Sequence, residues 1–212
     1  MPTRPRTGPR PRDAEATRAA LLRAATETFA EAGFAGARVD AIAERAGVNK
    51  RMIYAYFRDK AGLYREVLAS RFRGAAEVSR GVAAGRGPRA ALEALVRWYF
   101  EVLARDPPFA RLLAWEMLSG GARGHDILIE SATPALDVFA GLVRRGIDAG
   151  AFRRDLDPEL LRAAVTSVTI GYFLQRGVAR GRVQDRAWNP ARFLDHACRL
   201  LFDGIAAPGG RR

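Results

Sequence analysis

The sequence predicts an all-α protein, on three observations. Apolar residues recur at the three- and four-residue spacing of a helix over most of the chain. No stretch of useful length alternates between apolar and polar residues, as a half-buried strand would. Glycines, and prolines that follow Asp or Asn, divide the chain into segments of helical length. The pattern predicts about nine helices, of which the second and third are short.

The composition is that of a globular protein with excess positive charge. The 212 residues are 49% apolar, and 35 Lys and Arg against 23 Asp and Glu give a net charge of +12. This balance favours a polyanionic partner, nucleic acid or an anionic membrane surface, although a GC-rich genome would also enrich arginine. The apolar stretches are too short for a membrane span, and no signal peptide is indicated. With the lone Cys198, these features favour a cytoplasmic protein.

Both ends of the chain are predicted to lie outside the folded domains. Residues 1–12 carry four prolines, four arginines and no acidic residue, which indicates a disordered basic arm. The arm could lie along phosphates or in a minor groove, or it could be a solvated tail without a role. Residues 207–212 are expected to form a flexible tail.

The first helix is predicted to begin at Asp13, as N-cap, and to end at Gly33. Its apolar face is formed by Leu22, Ala25, Phe29 and Ala32. A second helix, over about residues 39–46, and a third, over about residues 49–56, are joined by a tight turn at Gly47. Two short helices joined in this way are typical of a helix-turn-helix unit.

The third helix has two different faces. Ile53 and Phe57 are expected to pack inward, and the outward face is polar. That outward face carries Lys50, Arg51 and Tyr54.

Two segments of this region, IAERAGV at 42–48 and IYAYFRDK at 53–60, resemble the DNA-binding domain of the TetR family of bacterial transcriptional regulators. The resemblance spans roughly residues 13–68. It implies a three-helix helix-turn-helix DNA-binding domain over residues 13–59. The family usually has Thr or Ser where this chain has Arg38, so we expect the second helix to lack that side-chain cap.

The resemblance also implies which residues meet DNA. The third helix would lie in the major groove, where Lys50 and Arg51 donate to guanine and Tyr54 follows one turn later. Phosphate contacts are implied for Arg38, Tyr56 and Lys60. The two tyrosines could instead be packing aromatics, and Lys50 and Arg51 could be solvated charges.

Residues 60–206 remain helical in pattern and resemble in architecture the family's effector-binding and dimerisation domain. Pro134 is expected to kink the seventh helix or to mark its true start, and Asp157-Pro158 and Asn189-Pro190 are expected to open the eighth and ninth. The predicted fourth to ninth helices span about residues 63–82, 88–105, 108–118, 125–150, 158–180 and 189–205.

The resemblance implies a small-molecule pocket and a dimer interface in this second domain. Candidate pocket residues are Trp98, Phe109, Trp115, Glu116, Met117, Phe139 and Tyr172. Such aromatics are often simply core, and Glu116 is expected to be solvated or ion-paired unless it holds a cationic or hydroxylated effector. Candidate interface residues on the last two helices are Val165, Val168, Leu194, Cys198 and Leu201, which could also be core within the chain.

The sequence therefore predicts a ligand-responsive DNA-binding transcriptional regulator of the bacterial cytoplasm, associated with the nucleoid when bound to DNA. As a homodimer, it would repress from a palindromic double-stranded operator until a small-molecule effector releases it. No enzyme, metal or cofactor is expected, because the two histidines and one cysteine form no catalytic or metal motif. The alternative is a basic DNA-coating protein of low specificity without an effector. A further alternative is a peripheral membrane protein that uses basic helices. In that case the similarity of residues 54–60 to the family would be a coincidence.

Overall fold

The computed structural model describes residues 11–179 and 189–206, with side chains from residues 13–176 and 189–206. The described residues form ten helices and no named strand, which confirms the all-α prediction. The helices are α1 Pro11–Gly36, α2 Val39–Ala46, α3 Arg51–Phe57, α4 Lys60–Phe72, α5 Ala75–Ala83, α6 Pro88–Arg105, α7 Pro107–Leu118, α8 His125–Asp148, α9 Pro158–Ala179 and α10 Pro190–Ile205. The predicted basic arm lies outside the described residues except for residues 11 and 12, and the predicted tail lies outside them entirely.

The helix ends largely follow the cap residues. Asn189 accepts hydrogen bonds from the first amides of α10, and Asp157 does the same for α9. Gly47 ends α2 in the left-handed conformation, with φ 67°. One prediction is wrong: α1 begins at Pro11, so Asp13 lies inside the first turn instead of capping it.

The predicted fourth helix is divided into α4 and α5. Arg73 adopts an extended conformation and Gly74 has φ 77°, so the chain changes direction there. A glycine tolerates this positive φ because it has no Cβ. Pro134 does not mark the start of α8, which runs through it from His125 to Asp148, and the predicted kink at Pro134 stays a prediction.

Helices α1 to α3 share a core with residues 63–68 of α4. The buried members include Leu21, Phe29, Ile42, Ile53, Phe57, Leu63, Tyr64 and Leu68. Leu112 of α7 is buried in the same cluster. The core of the N-terminal unit therefore extends beyond residue 59, where the sequence analysis placed the domain boundary.

The larger C-terminal core lies among α6, α8, α9 and α10. Its buried aromatics are Phe100, Phe139, Phe152, Tyr172 and Phe202. A smaller cluster joins α6, α7 and α9 through Leu103, Phe109, Leu113 and Ile170. Among the described residues, no helix is both long and apolar enough to traverse a bilayer.

Candidate DNA-binding surface and its junction with the effector domain

Helix α3 presents a polar face to solvent, as the sequence predicts. Ile53 and Phe57 are buried in the N-terminal core, whereas Lys50 and Arg51 are exposed and Tyr54 is 52% exposed. The helix start is held by Asn49, whose Oδ1 accepts a hydrogen bond from the Arg51 amide at 2.9 Å. The three predicted base-contact residues are thus on one exposed surface, and their contacts with DNA stay a prediction.

Lys50 forms an ion pair with Asp40. Its Nζ lies 3.0 Å from Oδ1 of Asp40 on α2, and both side chains are well exposed. The hydrogen bond to Asp40 raises the pKa of Lys50, so the side chain stays charged. An exposed pair of this kind contributes little to stability, so a competing anion can displace Asp40 from Lys50.

The segment before α2 lacks a side-chain cap, as predicted from the presence of Arg38. Arg38 occupies the N-cap position and its side chain makes no capping hydrogen bond. The arginine is exposed and therefore accessible to a phosphate. Tyr56 is half-buried, and its ring lies 6.1 Å from that of Phe57, so this tyrosine packs at least in part.

Lys60 is the first residue of α4, which is capped by Asp59 through a 2.6 Å hydrogen bond from the Gly62 amide. The Lys60 Nζ donates to the carbonyl oxygen of Ala35 at 3.4 Å and lies 4.7 Å from the centre of the Phe34 ring. Partial burial, and after it the nearby Arg123, lower the pKa of Lys60. A cation at a helix N-terminus, where backbone N–H groups point outward, favours an anion.

Two of the predicted pocket residues lie at the junction between the domains. The Trp115 Nε1 donates to the carbonyl oxygen of Ala30 on α1 at 3.3 Å. Its ring lies against Gly33, where α1 is interrupted at φ 66°. Trp115 is therefore a contact between α7 and α1 of the N-terminal unit.

The expectation that Glu116 is solvated or ion-paired is wrong. Its side chain is only 3% exposed and accepts hydrogen bonds from the Tyr64 hydroxyl and, at 2.8 Å, from the Gly124 amide. Burial and the Glu116 carboxylate raise the pKa of Tyr64, which keeps the phenol protonated. The carboxylate is buried because α7 packs against α4, a contact between residues 52 positions apart.

The remaining predicted pocket residues are spread over several places. Phe139 and Tyr172 are buried in the large C-terminal core, and Trp98 is half-buried against it. Phe109 belongs to the smaller cluster, and Met117 is 52% exposed. The seven residues are therefore spread over the junction, two core clusters and the surface, and the effector pocket stays a prediction.

Some of the predicted interface residues are buried and others are exposed. Val165, Leu194 and Cys198 are buried within the chain, so their side chains are not available to a second subunit. Burial in the core also raises the pKa of the Cys198 thiol. Leu201 is half-buried and Val168 is exposed. The exposed apolar residues of α9 and α10 are Leu160, Val168, Leu174 and Leu200.

Sequence reasoning missed a second polar link across the junction. Arg71 of α4 forms an ion pair of 3.2 Å with Asp106, and donates at 3.4 Å to the hydroxyl of Thr26 on α1. Asp106 also caps α7 by accepting from the Phe109 amide. Helix α7 is thus connected to α1 or α4 near both of its ends. No local pattern signals such contacts, because the partners are far apart in sequence.

Two family descriptions match the chain. "Bacterial regulatory proteins, tetR family" matches residues 21–67, and "Tetracyclin repressor-like, C-terminal domain" matches residues 88–198. The HTH-type transcriptional regulator RutR of Escherichia coli K12 is 31% identical over 166 residues, 78% of each chain. The HTH-type transcriptional repressor NicS of Pseudomonas putida is 35% identical over 159 residues, 74% of each chain.

Solved structures show the same fold. The fatty acid degradation regulator FadR of Bacillus halodurans has a TM-score of 0.70 at 22% identity, over 92% of this chain and 99% of its own. FadR of Bacillus subtilis, solved with stearoyl-CoA, has a TM-score of 0.73 at 21% identity, over 88% and 98%. The chain belongs to the TetR family of bacterial regulatory proteins and is a DNA-binding transcriptional regulator, not an enzyme.

Proposed function

We propose that this regulator acts as a homodimer that represses from a palindromic operator until a small-molecule effector releases it. The proposal is carried by α3, whose buried face fixes it in the N-terminal core while its polar face is open to solvent. The protein would act in the bacterial cytoplasm and be associated with the nucleoid when bound to DNA. The relative named as a transcriptional repressor, NicS, supports the direction of control.

Base recognition is assigned to Lys50, Arg51 and Tyr54. Arginine and lysine donate to guanine O6 and N7, which is the commonest specific contact in a major groove. Their position at the start of α3 supports this assignment, because the N-terminal residues of a recognition helix meet base edges. Before Lys50 can do so, it must leave Asp40.

Phosphate contacts are assigned to Arg38, Tyr56 and Lys60. The Lys60 Nζ touches the carbonyl oxygen of Ala35, three residues before Arg38, so these two cations belong to neighbouring segments of the surface. Phosphate contacts set the position of α3 on the duplex and carry no sequence information directly. Their loss should therefore weaken binding to every sequence.

A dimer is required by the geometry of recognition. One short helix contacts few base pairs, whereas two helices related by a two-fold axis reach half-sites about 34–36 Å apart. The exposed apolar side chains of α9, Leu160, Val168 and Leu174, support a subunit interface on this helix, because they would otherwise remain in water. Leu200 extends the same kind of surface to α10.

The junction at α7 offers a route from effector to DNA. Trp115 and Glu116 tie α7 to α1 and α4, and α4 begins at the proposed phosphate contact Lys60. An effector can shift the protein away from its DNA-bound conformation only by its difference in affinity for the two states. A ligand that prefers a displaced α7 would therefore change the spacing of the two recognition helices.

The test is a selection of bound duplexes from random DNA at about 150 mM salt, where phosphate-only binding is suppressed. We expect one palindrome with half-sites one helical turn apart, and the recovered duplex then serves as a probe for effectors that release it. Recovery of no motif, with binding that fades uniformly as salt rises, would overturn base reading and favour the DNA-coating alternative. A single unrepeated half-site would contradict the dimeric arrangement.

A further inference from the structure

The ring of Phe34 carries two cations that come from different domains. Lys60 Nζ, at the start of α4, lies 4.7 Å from the ring centre. The Arg123 guanidinium carbon, from the turn between α7 and α8, lies 5.0 Å from the same centre. The effector domain thus places an arginine beside a residue of the DNA-binding surface.

The turn that carries Arg123 is held in position by buried contacts. The next residue, Gly124, donates its amide hydrogen to the buried Glu116 carboxylate at 2.8 Å. A Cβ on Gly124 would lie 2.6 Å from Leu68 Cδ1 and 2.7 Å from a Glu116 oxygen, so only glycine allows this approach. The location of Arg123 therefore follows from the packing of α7 on α4.

Neither cation is neutralised. Within the residues that the structure describes, Lys60 and Arg123 form no ion pair with a carboxylate, in contrast to Lys50 with Asp40 and Arg45 with Glu31. Arg123 is exposed and Lys60 is partly so. Two unneutralised cations beside a helix N-terminus are complementary to a phosphate anion.

We propose that Arg123 is a further DNA-contacting residue, which binds a backbone phosphate beside the one bound by Lys60. The proposal rests on the phosphate role of Lys60 stated above and extends the DNA surface into the effector domain. Because phosphates are regularly spaced along a strand, adjacent cations on one aromatic ring are suited to successive or shared phosphodiesters. Arg123 would also make DNA affinity depend on the position of the turn that Glu116 holds.

The experiment measures how the affinity for a labelled duplex of random sequence depends on salt, between about 50 and 200 mM. For Arg123→Ala we expect a slope smaller in magnitude by about 0.9 for each bound protomer, and roughly 5- to 10-fold weaker binding per protomer near 0.1 M salt. Arg123→Lys should retain the slope, since it keeps the charge, and Arg123→Glu should weaken binding more than Arg123→Ala. The exposed position of Arg123 leaves the fold intact, which thermal unfolding checks.

Arg144→Ala is the matched control. Arg144 is an exposed arginine on α8 without an ion pair among the described residues, and it lies 19 residues beyond His125. That separation along a helix is about 28 Å from the turn. We expect the salt slope of Arg144→Ala to equal that of the unmodified protein. The slope reports the number of phosphates contacted, so losing a positive charge far from the DNA should not change it.

Two results would overturn the proposal for Arg123. Both can be distinguished from a third result, which would instead contradict the phosphate role of Lys60. If Lys60→Ala lowers the slope while Arg123→Ala leaves it unchanged, Arg123 only stacks on Phe34 and contacts no phosphate. If Arg144→Ala lowers the slope as much as Arg123→Ala, the effect is one of net charge. If Lys60→Ala leaves the slope unchanged, the assignment of Lys60 as a phosphate contact fails.

Discussion

Tyr64 of α4 donates a hydrogen bond to the buried carboxylate of Glu116 on α7, and this bond joins the DNA-binding domain to the effector domain. The same carboxylate accepts the amide hydrogen of Gly124, so it also fixes the turn that leads into α8. Three elements therefore meet at one buried side chain. A change in the position of α7 cannot occur without disturbing either this bond or α4.

The energetic coupling between Tyr64 and Glu116 can be measured directly. We expect Tyr64→Phe to lower the free energy of unfolding by about 1–3 kcal/mol, because the buried carboxylate loses a donor. In a double-mutant cycle with Glu116→Gln, the two effects should not add, and the interaction energy should exceed about 0.5 kcal/mol. Urea unfolding of the four proteins gives these values; strictly additive losses would contradict the bond.

Tyr64 should also make stability depend on pH at the alkaline end. Its pKa is raised in the folded protein, so the unfolded chain loses this proton first as pH rises. The stabilisation is complete below the unfolded pKa of about 10 and decreases above it, by up to about 1.4 kcal/mol per pH unit. Urea unfolding between pH 9 and about 11 should show a shallower decrease for Tyr64→Phe; an identical decrease would assign the effect to other groups.

Replacing Arg51 or Lys60 by alanine should weaken DNA binding in different ways. Arg51→Ala should cost roughly 1–3 kcal/mol on the selected operator and relax one base position. Lys60→Ala should weaken operator and random duplexes alike and lower the salt slope by about one unit per contact. Titration of both variants on both duplexes makes the comparison, and equal losses on both duplexes for Arg51→Ala would remove its specificity role.

Asp40 should act as a competitor of DNA for Lys50. Because the Lys50 Nζ lies 3.0 Å from the Asp40 carboxylate, DNA contact by Lys50 competes with this pair. We expect Asp40→Asn to tighten operator binding by a few-fold at most, since an exposed ion pair is weak. The gain should shrink in a Lys50→Ala background. An equal gain in that background would show that Asp40 acts only through its general negative charge.

The exposed apolar face of α9 should be needed for the dimer. Val168→Arg places a charge between Leu160 and Leu174 and should shift sedimentation towards the monomer. Leu118→Arg is the control, because Leu118 is an exposed leucine on a different helix, at the last position of α7. A dimer that survives Val168→Arg unchanged would place the interface elsewhere.

Local sequence was sufficient where local chemistry decides the structure. The caps Asp157 and Asn189, the left-handed Gly47 and the uncapped start of α2 at Arg38 all follow from residues within one turn of each other. The exposed polar face of α3 follows from the spacing of Ile53 and Phe57. The break at Gly74 was missed because the apolar spacing continues on both sides of it.

The sequence by itself determined the helical class, the order of the helices and the face of α3 available to DNA, because capping and helical periodicity act between residues close together in the chain. Only the tertiary structure decided the positions of Glu116, Val165 and Arg123. An aromatic or acidic residue at helical spacing has the same local pattern in a pocket, in a core or at a domain junction. Its place depends on which distant helix covers it, and that is decided by packing.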